Sequence, residues 1–239
     1  MNVNLSDVSF LQKGTGKDMV FLHGYLSSKE AFTAQIEYFS AFYRVTAFDF
    51  LGQGKSGELK DPFSVSDYAD WTEAVLEQLG VRSAYVIAHS FGARVAVKMA
   101  ARGGQVCDKL LLVGPAGVIL KRGFSYKIKV KTYRICKKLF PAFAERKFGS
   151  AEYKTLSPVM KESYKKIVNE DLRADAAKID FPVLLVRGKD DQTTTAAEAA
   201  AYQSVLQKGR TETMSGGHFA FAQYPLAFNL IAEEFFSNG

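Results

Sequence analysis

Histidine and cysteine are scarce in this chain, with three of the former and two of the latter in 239 residues. Cys107 and Cys136 show no metal-like spacing and suggest no disulfide framework. No apolar run approaches the ~18 residues that a membrane span needs. The opening residues, Met1-Asn2-Val3-Asn4-Leu5-Ser6-Asp7, carry neither a basic nor an apolar signal region, so a cytoplasmic protein is expected. There is no internal repeat and no low-complexity linker. A phosphate loop is excluded too, because five positions before Gly54-Lys55-Ser56 stands Asp49 where that motif needs glycine. What remains is the composition of a globular domain, 47% hydrophobic and 23% charged. A chain of this length buries roughly 70–75% of its unfolded surface.

Strand-like apolar runs alternate with helical ones, the pattern of an α/β fold with a mostly parallel twisted sheet and helices on both faces. Strands are predicted near Val8–Leu11, Met19–Leu22, Arg44–Phe48, Ala84–Ala88, Lys109–Val113, Pro182–Val186 and Thr211–Met214. Helices are predicted over Lys29–Phe42, Val65–Leu79, Phe91–Ala101, Thr194–Leu206 and Phe219–Phe236.

One junction carries chemistry. The strand at Ala84–Ala88 gives way at Ser90 to the helical run from Phe91, which demands a very sharp turn. Such a turn strains the serine backbone, exposes its hydroxyl, and needs small residues two positions to either side. Ala88 and Gly92 are small, as in the nucleophile elbow G-x-S-x-G with alanine for the first glycine. The helix start also sets the Phe91 amide where an oxyanion would form.

A serine hydroxyl needs a base. His89 precedes Ser90 in the same strand and should face the other way, which suits packing better than proton transfer. His23 ends an apolar run and opens the turn Gly24-Tyr25, better suited to supplying a second backbone donor. That leaves His218, presented after Gly216-Gly217. The imidazole needs a carboxylate to orient it. The strand before Gly188-Lys189-Asp190-Asp191 ends in two, whereas the strand before Gly114-Pro115-Ala116-Gly117 ends in none. The acid therefore comes from the 190/191 pair.

These residues resemble the α/β-hydrolase superfamily along essentially the whole chain. Besides the elbow, Phe21-Leu22-His23-Gly24-Tyr25 is similar to the family's His-Gly oxyanion turn, and Asp49 to Ser56 to its D-x-x-G-x-G-x-S loop. Gly188 to Asp191 fits its G-x-x-D pattern, which favours Asp191 over Asp190. Gly217-His218-Phe219 with Gln223-Tyr224-Pro225 resembles its G-H…E-x-P ending, with glutamine for glutamate. The resemblance implies catalytic Ser90, Asp191 and His218, oxyanion amides from Tyr25 and Phe91, and no metal or organic cofactor. It implies a hydrolase core over 1–114 and 177–239, with an inserted helical lid over 115–176.

The excess positive charge sits in that insertion. Lys121 to Lys154 hold eleven basic residues against Glu145 and Glu152, a local +9, while the rest of the chain carries −3. A solvated outer face is the favoured reading of this charge. Steering of an anionic substrate and contact with an acidic membrane surface are the other two. Nucleic acid is least favoured, since no reading motif accompanies the charge. The expected activity is hydrolysis of a small or medium carboxylic ester through an acyl-enzyme. Hydrolysis of a carbon–carbon bond in a ring-cleavage product, with the same three residues, is the alternative. A non-catalytic ligand-binding protein on the same fold is the alternative from a different class.

Overall fold

The computed structural model describes residues 3–103, 106–120 and 156–237. The basic stretch from Lys121 to Lys154, and most of the expected lid, lie outside them. Seven strands form one sheet in the order β1-β3-β2-β4-β5-β6-β7. They are β1 (Phe10–Lys13), β2 (Asp18–Leu22), β3 (Arg44–Phe48), β4 (Ala84–His89), β5 (Cys107–Val113), β6 (Val183–Gly188) and β7 (Gly209–Met214). β1 alone runs antiparallel, pairing with β3 at the sheet edge; every other neighbour is parallel.

Two apolar layers cover the sheet, and alternation along the strands assigns residues to each. Leu22, Val86, Ala88, Leu110, Leu112, Val183 and Leu185 face one way. They meet α2 (Val65–Gln78), α3 (Phe91–Ala100), α4 (Pro158–Val168), α5 (Arg173–Ala176) and α6 (Ala196–Gln203). Phe21, Ile87, Leu111, Leu184 and Val186 face the other way. There they pack on α1 (Thr33–Phe39), α7 (Ala220–Gln223) and α8 (Pro225–Ser237). Strands buried on both faces read as unbroken apolar runs, which is why the sequence marks them so clearly.

The strands at Cys107–Val113 and Gly209–Met214 each begin two residues earlier than expected and the helix at Ala196–Gln203 is shorter at both ends, and three further elements differ for visible reasons. The first strand starts two residues late, because the segment before it is tied to the loop after β3: Ser9 N–H donates to Ser56 Oγ, and Gly57 N–H to Asp7 O. The helix expected from Lys29 opens as a 3-10 turn, Lys29–Phe32, before α1 begins. The closing helix is broken at Tyr224 (φ −131°, ψ 64°), since the residue before a proline is driven out of helical geometry. Among the described residues no helix is long and apolar enough to cross a membrane.

Candidate active site

The chemistry-bearing residues sit in the turns that leave the C-terminal ends of parallel strands, where open α/β sheets gather ligands. The β4–α3 junction is the sharpest of these turns. Ser90 is held at φ 52°, ψ −105°, a conformation that side chains rarely adopt. Its N–H donates to Val113 O at 3.1 Å, and its carbonyl accepts from Ala116 N–H at 3.3 Å. The backbone of β5 and its exit loop thus over-determine the strained residue. Ser90 Oγ makes no cap bond to helix α3, so it is left for another partner. The need for a small residue at Gly92 is direct: a Cβ there would lie 2.3 Å from Leu22 O and 2.7 Å from His23 O.

That partner is His218, in the turn between β7 and α7. Its Nε2 lies 3.0 Å from Ser90 Oγ, and its Nδ1 lies 2.9 Å from Asp191 Oδ2. The structure therefore brings Ser90, His218 and Asp191 into one hydrogen-bonded line, with Asp191 buried and Ser90 and His218 half-buried. Asp190 is exposed and stands aside. The choice between the two carboxylates follows from the turn after β6. Thr193 N–H and Thr194 N–H both donate to Asp191 Oδ1, at 2.7 and 3.0 Å, and Thr194 Oγ1 donates to Oδ2 at 2.7 Å. Burial alone would push this carboxyl up. The Thr194 hydroxyl, His218 and the Thr194 amide outweigh it and hold Asp191 below the usual carboxylate value. Sequence reading missed Thr194, whose only signal was its place just after the acid. Gly114 was seen only as lacking an acid; a Cβ there would stand 3.1 Å from His218 Nδ1 and 3.3 Å from Asp191 Oδ2.

The other two histidines are structural. His23 Nδ1 donates to Gly24 O at 2.7 Å, and Phe50 N–H donates to its Nε2 at 3.0 Å, which fixes the neutral tautomer. Burial brings its pKa down to about 4. It ties the Gly24-Tyr25 turn to the start of the loop after β3. That loop braces itself through Asp49, whose carboxylate accepts from Lys29 N–H and Lys55 N–H. The loop also extends Gln53, whose Oε1 accepts from Leu26 N–H at 2.7 Å while Leu26 sits at φ 56°. His89 packs against Phe219 and Phe221, on the face opposite Ala88. Its Nε2 donates to the main-chain oxygen of His218 at 3.0 Å. Burial first, and the neighbouring His218 second, bring its pKa to about 3.

β2 and β4 are adjacent, with Leu22 level with Ala88, so the Gly24-Tyr25 turn and the Phe91 helix start lie at the same sheet edge. The Tyr25 and Phe91 rings touch edge-to-face at 5.3 Å. Gln223, where the resemblance led one to expect glutamate, accepts from Gly217 N–H at 2.8 Å and braces the turn before His218. Over these residues opens a cavity of about 780 Å³, lined by Ser90, His218, Leu26, Val118, Leu156 and Ile167 among others. Among the described residues no cluster of three His, Cys, Asp or Glu side chains is arranged to hold a metal ion.

Residues 18–132 match the sequence family described as the alpha/beta hydrolase fold. The AB hydrolase superfamily protein YisY of Bacillus subtilis is 24% identical, over 93% of this chain and 92% of that protein. An (E)-2-((N-methylformamido)methylene)succinate hydrolase of Acinetobacter baylyi is 31% identical over 36% of this chain; the match spans only 33% of that protein's length. Among solved structures, an esterase from Exiguobacterium antarcticum superposes with a TM-score of 0.76 at 21% identity, covering 95% of this chain and 94% of its own. The parallel sheet, its strand order and the family match over residues 18–132 together give this chain the α/β-hydrolase fold.

Proposed function

We propose that the protein is a serine hydrolase that cleaves small or medium carboxylic esters through an acyl-enzyme. The observation that carries this reading is the line Asp191 Oδ2–His218 Nδ1 at 2.9 Å and His218 Nε2–Ser90 Oγ at 3.0 Å, ending on a serine in strained backbone. In this reading Ser90 Oγ attacks the ester carbonyl carbon while its proton passes to His218 Nε2. Asp191 holds the imidazole with Nε2 toward the serine and stabilises the imidazolium that forms. The carbonyl oxygen, now carrying the charge, accepts from the Tyr25 and Phe91 amides; loss of one such donor costs roughly 3–4 kcal/mol in comparable sites. His218 returns the proton to the departing alcohol. Water then attacks the acyl-enzyme with His218 again as base, which frees the acid and restores Ser90.

The esterase name of one structural neighbour, and the hydrolase names of the relatives, support this class of chemistry. A screen of 4-nitrophenyl esters of graded acyl length, with a ring-cleavage dienoate beside them, tests it. Turnover of short and medium esters that is lost in Ser90→Ala is expected. Turnover of the dienoate alone would move the assignment to carbon–carbon bond hydrolysis. No turnover of any substrate, with Ser90 inert to a fluorophosphonate, would favour a non-catalytic binding protein.

A further inference from the structure

The cavity wall beside Ser90 holds a cation that the proton relay does not use. Arg94 lies four residues beyond Ser90, about 6 Å farther along the axis of α3. It lines the cavity and is only 8% exposed. Its Nη1 donates to two main-chain carbonyls at the C-terminal end of α4, Ile167 O and Glu170 O, both at 2.9 Å. Those bonds use two of the five guanidinium hydrogens and neutralise no charge.

Among the described residues no carboxylate stands within ion-pair distance of Arg94. The two nearby acids are occupied elsewhere. Glu170 pairs with Lys98 at 2.7 Å. Glu198, which also lines the cavity, turns its carboxylate onto Thr195 N–H and Thr195 Oγ1 at 2.7 and 3.0 Å, capping α6. Burial pulls the guanidinium pKa down, and the surrounding tyrosines and glutamates offset that only in part. Holding two carbonyls needs only a neutral donor, whereas burying a charge that is only partly offset is costly. A charge kept there, facing a substrate-sized cavity, is matched by an anion that arrives with the substrate. The planar guanidinium suits a carboxylate best, through paired N–H donors.

We propose that Arg94 recognises a carboxylate on the substrate, so that the preferred ester bears an anionic group a few bonds from its scissile carbonyl. The proposal rests on the reading of Ser90 as an esterase nucleophile for the position of that carbonyl, but the anion site itself does not. It differs from long-range steering by the basic Lys121–Lys154 stretch, because a buried contact is screened by salt far less than surface charge.

Two measurements test it. The first is the ratio of kcat/KM for mono-4-nitrophenyl adipate over 4-nitrophenyl hexanoate, which share an acyl length. A parallel pair, 4-carboxyphenyl and 4-carbamoylphenyl hexanoate, moves the charge to the alcohol side. In the wild type one pair is expected to favour the anion by more than about tenfold, some 1.4 kcal/mol. That ratio should hold in about 0.5 M NaCl, where exposed charges are screened. It should fall to near one in Arg94→Gln and survive in Arg94→Lys. A ratio is unaffected by any loss of folded enzyme, so a purely structural clamp would lower both esters together and leave it unchanged. Such a result, or a ratio near one in the wild type for both pairs, overturns the proposal while leaving Ser90 as nucleophile. The second measurement is calorimetric binding of monomethyl adipate and dimethyl adipate to Ser90→Ala protein. Tighter binding of the monoanion, lost in the Ser90→Ala/Arg94→Gln double variant, supports the anion site even if no ester is turned over. Equal binding of the two overturns it.

Discussion

Acid should destabilise this fold earlier than its carboxylates alone would dictate, because two imidazoles are buried neutral. His23 is held at a pKa of about 4 and His89 at about 3, each against 6.5 for a free side chain. Below pH ~6.5 the unfolded chain takes up a proton at each position and the folded chain does not. The unfolded state therefore binds more protons, and stability falls as pH drops. The loss ends for each residue only once its folded form protonates. Between pH 7 and 5 each histidine contributes a loss of roughly 2 kcal/mol, about 4 kcal/mol together, a large part of a typical domain's stability. Urea unfolding at half-unit steps from pH 7 to 5 gives this directly. Near pH 5.5 the slope from this pair should be about 2.4 kcal/mol per pH unit, about 1.2 for each site. His89→Gln lowers absolute stability, since the bond to His218 O is weakened, but it should remove about half of that slope. A slope identical in wild type and variant would refute the neutral burial of His89.

Other consequences follow from the same geometry. Asp191→Asn should lower kcat by about 10⁴, as loss of the orienting carboxylate does in comparable relays, whereas Asp190→Asn, exposed and outside the hydrogen-bonded line, should keep most activity in the same ester assay. Gly92→Ala should cost about 1–3 kcal/mol or more in urea unfolding, because the new methyl meets the carbonyls of Leu22 and His23 at impossible distances; a fully stable, fully active variant would contradict the close approach of α3 to β2. Gln53→Ala frees the Leu26 N–H and loosens the turn that carries the Tyr25 amide. It should reduce kcat by about ten- to a hundredfold with little change in KM.

How much of this was legible in the sequence depends on whether a residue acts locally or across the fold. The strands were visible because β2, β4, β5 and β6 each hold an unbroken apolar run, Met19–Leu22, Ala84–Ala88, Leu110–Val113 and Val183–Val186, as strands covered on both faces tend to. The elbow was visible because Ala88, Ser90 and Gly92 report a steric demand confined to one turn. By contrast, the residue pattern alone left Asp190 and Asp191 equal. Their difference arises from which carboxylate the Thr193 and Thr194 amides capture, and only the G-x-x-D resemblance singled out Asp191, the carboxylate that lies against His218. The offset of β1 and the kink at Tyr224 come from long-range ties to Ser56 and from Pro225. Arg94 gave no signal, because a basic residue in a helix normally reads as a solvated face; its burial depends on α4, some seventy positions away in sequence. The expected helical lid and the role of its +9 charge fall mostly on residues outside those described.

The nucleophilic role of Ser90 is the claim on which the proposed activity depends, and covalent labelling tests it without knowledge of the natural substrate. Wild-type protein treated with a fluorophosphonate and digested for mass spectrometry should carry one adduct, on Ser90. Labelling should be greatly slowed in His218→Ala, where the 3.0 Å partner of the hydroxyl is gone. An adduct at another serine, or Ser90→Ala protein that still turns over esters at the wild-type rate, would contradict it.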